Sequence, residues 1–188
     1  VKKIVKKQPN FVNNPSNEKG DTGFLIACRT GALELVKFFL ENYPSCTDHK
    51  NNKGDTGFLN ACCNGNLELV NLFYDHNSSC VTQKNNDGDS GFLLACFFGH
   101  LKIVKFLLAK DPECLHYKNN YGDTGFLKAS FYQHAVPVAK FLLKKYPDIV
   151  DQKNNNEEDC LEHAKQGQNM ELVDWLNKGV KLGNIILQ

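Results

Sequence analysis

No apolar run in this 188-residue chain exceeds the seven residues from Phe92 to Phe98, far short of the roughly 20 that a bilayer-spanning helix needs. Charge of one sign is also lacking. Lys and Arg number 22 against 21 Asp and Glu, and a net charge of +1 projects no field that would gather nucleic acid or anionic lipid. The opening VKKIVKKQPNFV has basic residues but neither a continuous apolar stretch nor a small-residue cleavage site, so it is no secretory signal. There is no Cys-x-x-Cys, no His-Glu-x-x-His and no phosphate-cradling glycine loop. The six histidines, at 49, 76, 100, 116, 134 and 163, have no ligand spacing. Neither a metal nor any other cofactor is expected. With 41% hydrophobic and 23% charged residues, the composition is that of an ordinary globular protein with a buried core.

What is there is repetition. GDTG begins at Gly20, Gly54 and Gly122, and GDSG at Gly88, each start 34 residues after the last. The units read GDTGFLIACRTGALELVKFFL, GDTGFLNACCNGNLELVNLFY, GDSGFLLACFFGHLKIVKFLL and GDTGFLKASFYQHAVPVAKFLL. A degenerate fifth, EEDCLEHAKQGQNMELVDWL, places Asp159 where the others have Thr or Ser and reads as a closing cap. The Gly-Asp-Ser-Gly around Ser90 looks like the nucleophile segment of a serine protease, but its equivalents are Thr22, Thr56 and Thr124 and no base is positioned for it. A hydroxyl or carboxylate just before an apolar periodic segment is instead a helix N-cap, satisfying the first free backbone N–H groups.

The apolar spacing predicts two short helices per unit. Phe24, Leu25, Ala27 and Cys28 make one face after Thr22, and Gly31 is placed to end that helix in a left-handed turn. Leu33, Val36, Phe39 and Leu40 form a second, slightly longer helix that should stop before Pro44. The polar link TDHKNNKGD then favours a hairpin-like finger, in which Asp21, Asp55, Asp89 and Asp123 are expected to make Asx-type turn bonds.

GDTGFLIACRTGALELVKFFL resembles the ankyrin repeat, whose usual core reads G-x-T-P-L-H-x-A-A-x-x-G-H-L-E-V-V-K-L-L-L, and the stretch from Gly99 to Leu108 is the closest match. The resemblance implies an all-α solenoid of helix-turn-helix units joined by fingers. The tetratricopeptide array shares the 34-residue period, but it lacks the Asn-Asn-x-Gly-Asp finger and its Trp and Tyr signature has no counterpart here. Two departures from the family stand out. Gly23, Gly57, Gly91 and Gly125 replace its Pro, which predicts a more easily frayed helix start. Leu25, Leu59, Leu93 and Leu127 replace its His, so the family's His-to-Thr hydrogen bond cannot form.

The expected division is 1–19 as the second half of a preceding repeat, four repeats at 20–53, 54–87, 88–121 and 122–155, and a capping repeat with tail at 156–188. Val1 to Pro9 aligns with the second helix of a unit, so further repeats are expected before it. Cys28, Cys62 and Cys96 form one row and Cys46, Cys80 and Cys114 another. Helices stacked about 8 to 10 Å apart cannot bridge such neighbours, since disulfides need alpha carbons within about 7 Å. Cys28, Cys62 and Cys96 fill the small apolar site where the family has Ala. A reducing compartment, intracellular and cytoplasmic, is the expectation.

Repeated residues serve the scaffold, so recognition falls to positions where the copies differ. The resemblance implies a concave face made of finger tips and the two residues after the Ala-Cys pair of the first helix. Those pairs are Arg29-Thr30, Cys63-Asn64, Phe97-Phe98 and Phe131-Tyr132. Because their equivalents Arg29, Thr30 and Asn64 are polar, Phe97, Phe98, Phe131 and Tyr132 are candidates for a protein-binding hot spot. Asn86, Asp87, Asp89, Asn120, Tyr121 and Asp123 are expected as its rim, with Arg29 and Lys53 further candidates. The expected function is a non-catalytic scaffold binding another protein; the alternative is a targeting or regulatory segment of a longer protein whose catalytic part lies elsewhere. Gln133, in place of the turn glycine, and one extra residue before Pro137 mark the fourth repeat's loop, for which drift is at least as good an account as a contact role for His134.

Overall fold

A computed structural model describes residues 14–181, and the expected helix over Val1 to Pro9 lies outside them. Among the described residues there are ten α-helices and no strand. The chain divides into two compact units, 1–91 and 92–188.

In the first unit, helices α1 (Gly23–Thr30) and α2 (Leu33–Asn42) form a pair, followed by a 3-10 turn at Pro44–Asp48. Helices α3 (Gly57–Cys63) and α4 (Leu67–His76) repeat the arrangement, with a turn at Ser78–Thr82. Helix α5 (Gly91–Phe97) starts at the last residue of that unit, and the second unit continues with α6 (Leu101–Lys110), α7 (Gly125–Phe131), α8 (Val136–Lys145), α9 (Cys160–Gln166) and α10 (Met170–Lys181). The extra residue of the fourth repeat is absorbed by a 3-10 turn, Gln133–Ala135, with Pro137 in the first turn of α8.

The cap positions behave as their chemistry dictates. Thr22 accepts from the Leu25 N–H at 3.3 Å, Thr56 from Leu59 at 3.3 Å and Thr124 from Leu127 at 3.4 Å, each cap worth about 1 kcal/mol. Ser90, at the equivalent place, is fully buried. Asp159 accepts from the Leu161 and Glu162 N–H groups while the Glu162 carboxylate accepts from the Asp159 N–H at 2.8 Å, closing a capping box. With no histidine available, the Thr56 and Thr124 hydroxyls donate instead to Gln83 and Gln152, both at 2.6 Å.

Glycine at the first helical position is a packing requirement. A Cβ on Gly57 would lie 2.8 Å from the Phe24 ring and 2.9 Å from both the Cys28 Sγ and the Phe73 ring. Phe24 and Cys28 are fully buried, and the Phe24 ring meets Phe39 and Phe73 edge-on at 6.0 and 6.1 Å. A larger ring and a thiol on one repeat therefore occupy the room that the family's proline would need on the next. The pair α9 and α10 supplies the converse: Cys160 stands in the glycine place, and the preceding copy has Ser130 where the others have Cys. The Ser130 hydroxyl turns back to donate to Phe126 O at 2.9 Å.

The fingers correct one expectation. The Asx-type bonds are made by asparagine, not by Asp21, Asp55, Asp89 or Asp123. Asn51 Oδ1 accepts from the Lys53 and Asp55 N–H groups, both at 3.0 Å, while its Nδ2 reaches back thirty residues to donate to Asp21 Oδ1 at 3.0 Å. Asn85 does the same with Asp87, Asp89 and Asp55, and Asn154 with Asn156, Glu158 and Asp123. The second asparagine forms another rung. Asn52 donates its N–H to Lys19 O and its Nδ2 to Glu18 O, and Asn86 repeats this on Lys53 O and Asn52 O. The Asn-Asn-x-Gly-Asp motif thus sews each finger to the one before it within a unit. Gly54, at φ 77°, is doubly constrained, since a side chain there would be left-handed and would strike Asn86.

All eight cysteines are free thiols. Desolvation pushes the thiol of Cys46 up to about 12 and that of the half-exposed Cys63 up to about 11, so both carry little reactive thiolate at neutral pH.

Candidate functional site

The last residue of α5 and the one after it, and the last residue of α7 and the one after it, bring the four predicted rings together in the second unit. Phe97 and Phe98 meet edge-on with centroids 5.0 Å apart, Phe97 and Tyr132 at 5.2 Å, and Phe131 and Tyr132 at 4.7 Å. Such pairs contribute about 0.5 to 1.5 kcal/mol each beyond their burial. The rings pack on one another, yet they are not sealed: Phe98 and Tyr132 are 38% and 39% exposed, and Phe97 and Phe131 are half-buried. His100 stacks on Phe98 and His134 on Tyr132. The His134 Nε2 also lies 3.2 Å from the Phe97 carbonyl oxygen, so the altered loop of the fourth repeat braces the ring cluster.

Of the predicted rim in this unit, Tyr121 is 59% exposed at its finger tip and Asn120 is exposed beside it. Asp123 is half-buried and engaged by Asn154. In the first unit, Asn86 and Asp87 are exposed, as are Lys53 and Arg29, the latter 3.6 Å from Asp21. Asp89 departs from its expected place on a rim: it is only 6% exposed, its N–H bound to Asn85. Asp21 is buried in the same way, at 2%, while Asp55 and Asp123 of that column are half-buried.

Two site residues escape the pairwise reading of the first helices. Lys128 and His163 occupy the column of Ile26, Asn60 and Leu94, two residues before the Ala-Cys end. The Lys128 ammonium lies 5.0 Å over the Phe97 ring. His163, buried, has its ring 6.4 Å from Phe131 and its Nε2 3.5 Å from Asp123 Oδ1 and 3.9 Å from Glu158 Oε2. The same test that found the rings, non-repetition within a column, marks these two.

Between finger and first helices of this unit lies a cavity of about 290 Å³, lined by Phe97, Tyr121, Phe131, Asp123, Glu158 and Lys128 among others. Amides of Asn154 and Gln166 donate to the Glu158 carboxylate at 2.8 and 2.6 Å and hold its pKa below the usual range. Nothing here supplies an activated nucleophile. No group of metal-holding side chains occurs among the described residues, nor does any helix long and apolar enough to cross a membrane.

A search of curated proteins finds no match. The family model for ankyrin repeats matches in three overlapping copies, over residues 1–84, 24–119 and 58–156. Repeats of this kind are generally protein–protein interaction modules and typically non-catalytic. With the helix pairs, the fingers and a match spanning most of its length, the chain belongs to the ankyrin-repeat family.

Proposed function

We propose that this chain is a protein-binding scaffold whose recognition surface, on the concave side, is centred on the third and fourth repeats. Phe97, Phe98, Phe131 and Tyr132 are its anchors, and Asn120, Tyr121 and Asp123 are polar or amphipathic groups around them. The observation that carries this reading is the edge-to-face cluster left partly open to solvent at positions where other copies have Arg29, Thr30 and Asn64. The scaffold has no need of rings there, and exposed aromatic anchors are what a protein interface uses for most of its affinity.

The test is capture of partners from a cell extract by native protein and by Phe97→Ser/Tyr132→Ser, with thermal melting of both. A double variant that melts like the native protein and loses the captured proteins supports the reading. One that folds and keeps every partner overturns it.

A further inference from the structure

We infer that the cavity beside the ring cluster takes one arginine side chain from the partner. This rests on the partner-binding reading above. The volume, about 290 Å³, lies at the lower limit of small-molecule pockets and suits a single long side chain delivered by a larger partner. Its chemistry selects a cation. Phe97, Phe131 and Tyr121 present rings to the cavity, and the Phe97 ring already holds the Lys128 ammonium at 5.0 Å. Two carboxylates, Asp123 and Glu158, share the lining with that one ammonium and with the His163 imidazole, whose Nε2 lies 3.5 and 3.9 Å from them.

The carboxylates are preorganised. Asp123 Oδ1 and Glu158 Oε2 lie 3.1 and 2.8 Å from the same Asn154 Nδ2, and Asn154 is itself fixed because its Oδ1 accepts from the Asn156 and Glu158 N–H groups. Neither carboxylate must be ordered when a ligand arrives. A planar guanidinium can lie flat on a ring while its fork of five N–H groups reaches separated acceptors, a fixed geometry that a lysine ammonium lacks. Tyr121, Phe131 and Glu158 coincide at this site. The first and second repeats have Lys53 and Asp87 at the Tyr121 tip position and Arg29 and Cys63 at the Phe131 position.

The test titrates N-acetyl-arginine amide into the isotope-labelled full chain and follows backbone amide shifts, with N-acetyl-citrulline amide as the neutral isostere. Arginine is expected to shift the Asp123, Lys128, Phe131 and Glu158 amides saturably, citrulline to bind at least about tenfold more weakly, and Glu158→Gln to weaken arginine by about tenfold. Tyr121→Ser, at an exposed tip, gives a second variant that leaves the asparagine rungs intact and is expected to weaken arginine too. Equal response to arginine and citrulline, or no saturable shift around the cavity, overturns the inference. If that happens while Phe97→Ser/Tyr132→Ser still loses its partners, the ring surface stands without the arginine pocket. If the double variant keeps its partners, the reading beneath the inference falls, whatever arginine does.

Discussion

Asn51 donates to the carboxylate of Asp21, 3.0 Å away and one repeat earlier, and the same side chain accepts two N–H groups of its own finger. One residue therefore folds a finger and fastens it to its neighbour. Removing it leaves two backbone donors without their acceptor and takes from a 2%-exposed carboxylate one of its two amide donors, the Asn17 side chain at 3.1 Å remaining. Asn51→Ala is predicted to cost about 2 to 3 kcal/mol, lowering the melting midpoint by several degrees. Urea unfolding checks this, and a change below about 0.5 kcal/mol would contradict the double role.

Gly57→Ala reverses an ordinary expectation. Alanine normally stabilises a helix over glycine by about 0.5 to 1 kcal/mol, but here its Cβ meets Phe24, Cys28 and Phe73. The predicted effect is a destabilisation of about 1 to 3 kcal/mol, partly relieved when Cys28→Ala is added. A double-mutant cycle in urea measures the coupling; a coupling of zero would show that glycine is there for another reason.

Glu157 sits at φ 63° where the other fingers have glycine. Glu157→Gly is predicted to stabilise by about 0.5 to 1 kcal/mol by removing left-handed strain. Gly122→Ala, at the same position of a finger whose next asparagine, Asn155, abuts it, is predicted to destabilise. Thermal melts of the two variants should move in opposite directions.

The thiols give a chemical readout of burial. Desolvation pushes Cys63 up to about 11, which leaves roughly one thiolate in a thousand at pH 8, and Cys46, Cys80 and Cys160 are pushed up to about 12. Because the raised value removes thiolate at every pH below it, alkylation of the folded protein at pH 8 should be slow. Cys63, the least buried, should react first, and all eight should react rapidly in denaturant. Rapid labelling of Cys28 or Cys62 in the folded chain would contradict the core packing.

Much of this architecture is legible in the letters, because each unit restates the same local chemistry: a cap at Thr22 or Thr124, a left-handed glycine at Gly31, a stop before Pro44. Contacts that join one repeat to the next are less so. The asparagine rungs depend on Asn51 lying beside Asp21, and the meaning of Gly57 depends on Phe24 and Cys28, residues about thirty positions away that only folding brings close. The rings at Phe97 and Tyr132 stand out as departures from a column. Lys128 and His163 belong to a column just as variable, yet their relation to Phe97, Asp123 and Glu158 becomes visible only when finger and helix are seen side by side.

The division of labour between recurring and departing residues is tested most directly by measuring partner affinity and melting temperature together for native protein and Phe97→Ser/Tyr132→Ser. The predicted result is an affinity loss of at least about 100-fold with the melting midpoint within a few degrees of native. Full affinity in a folded double variant would contradict it.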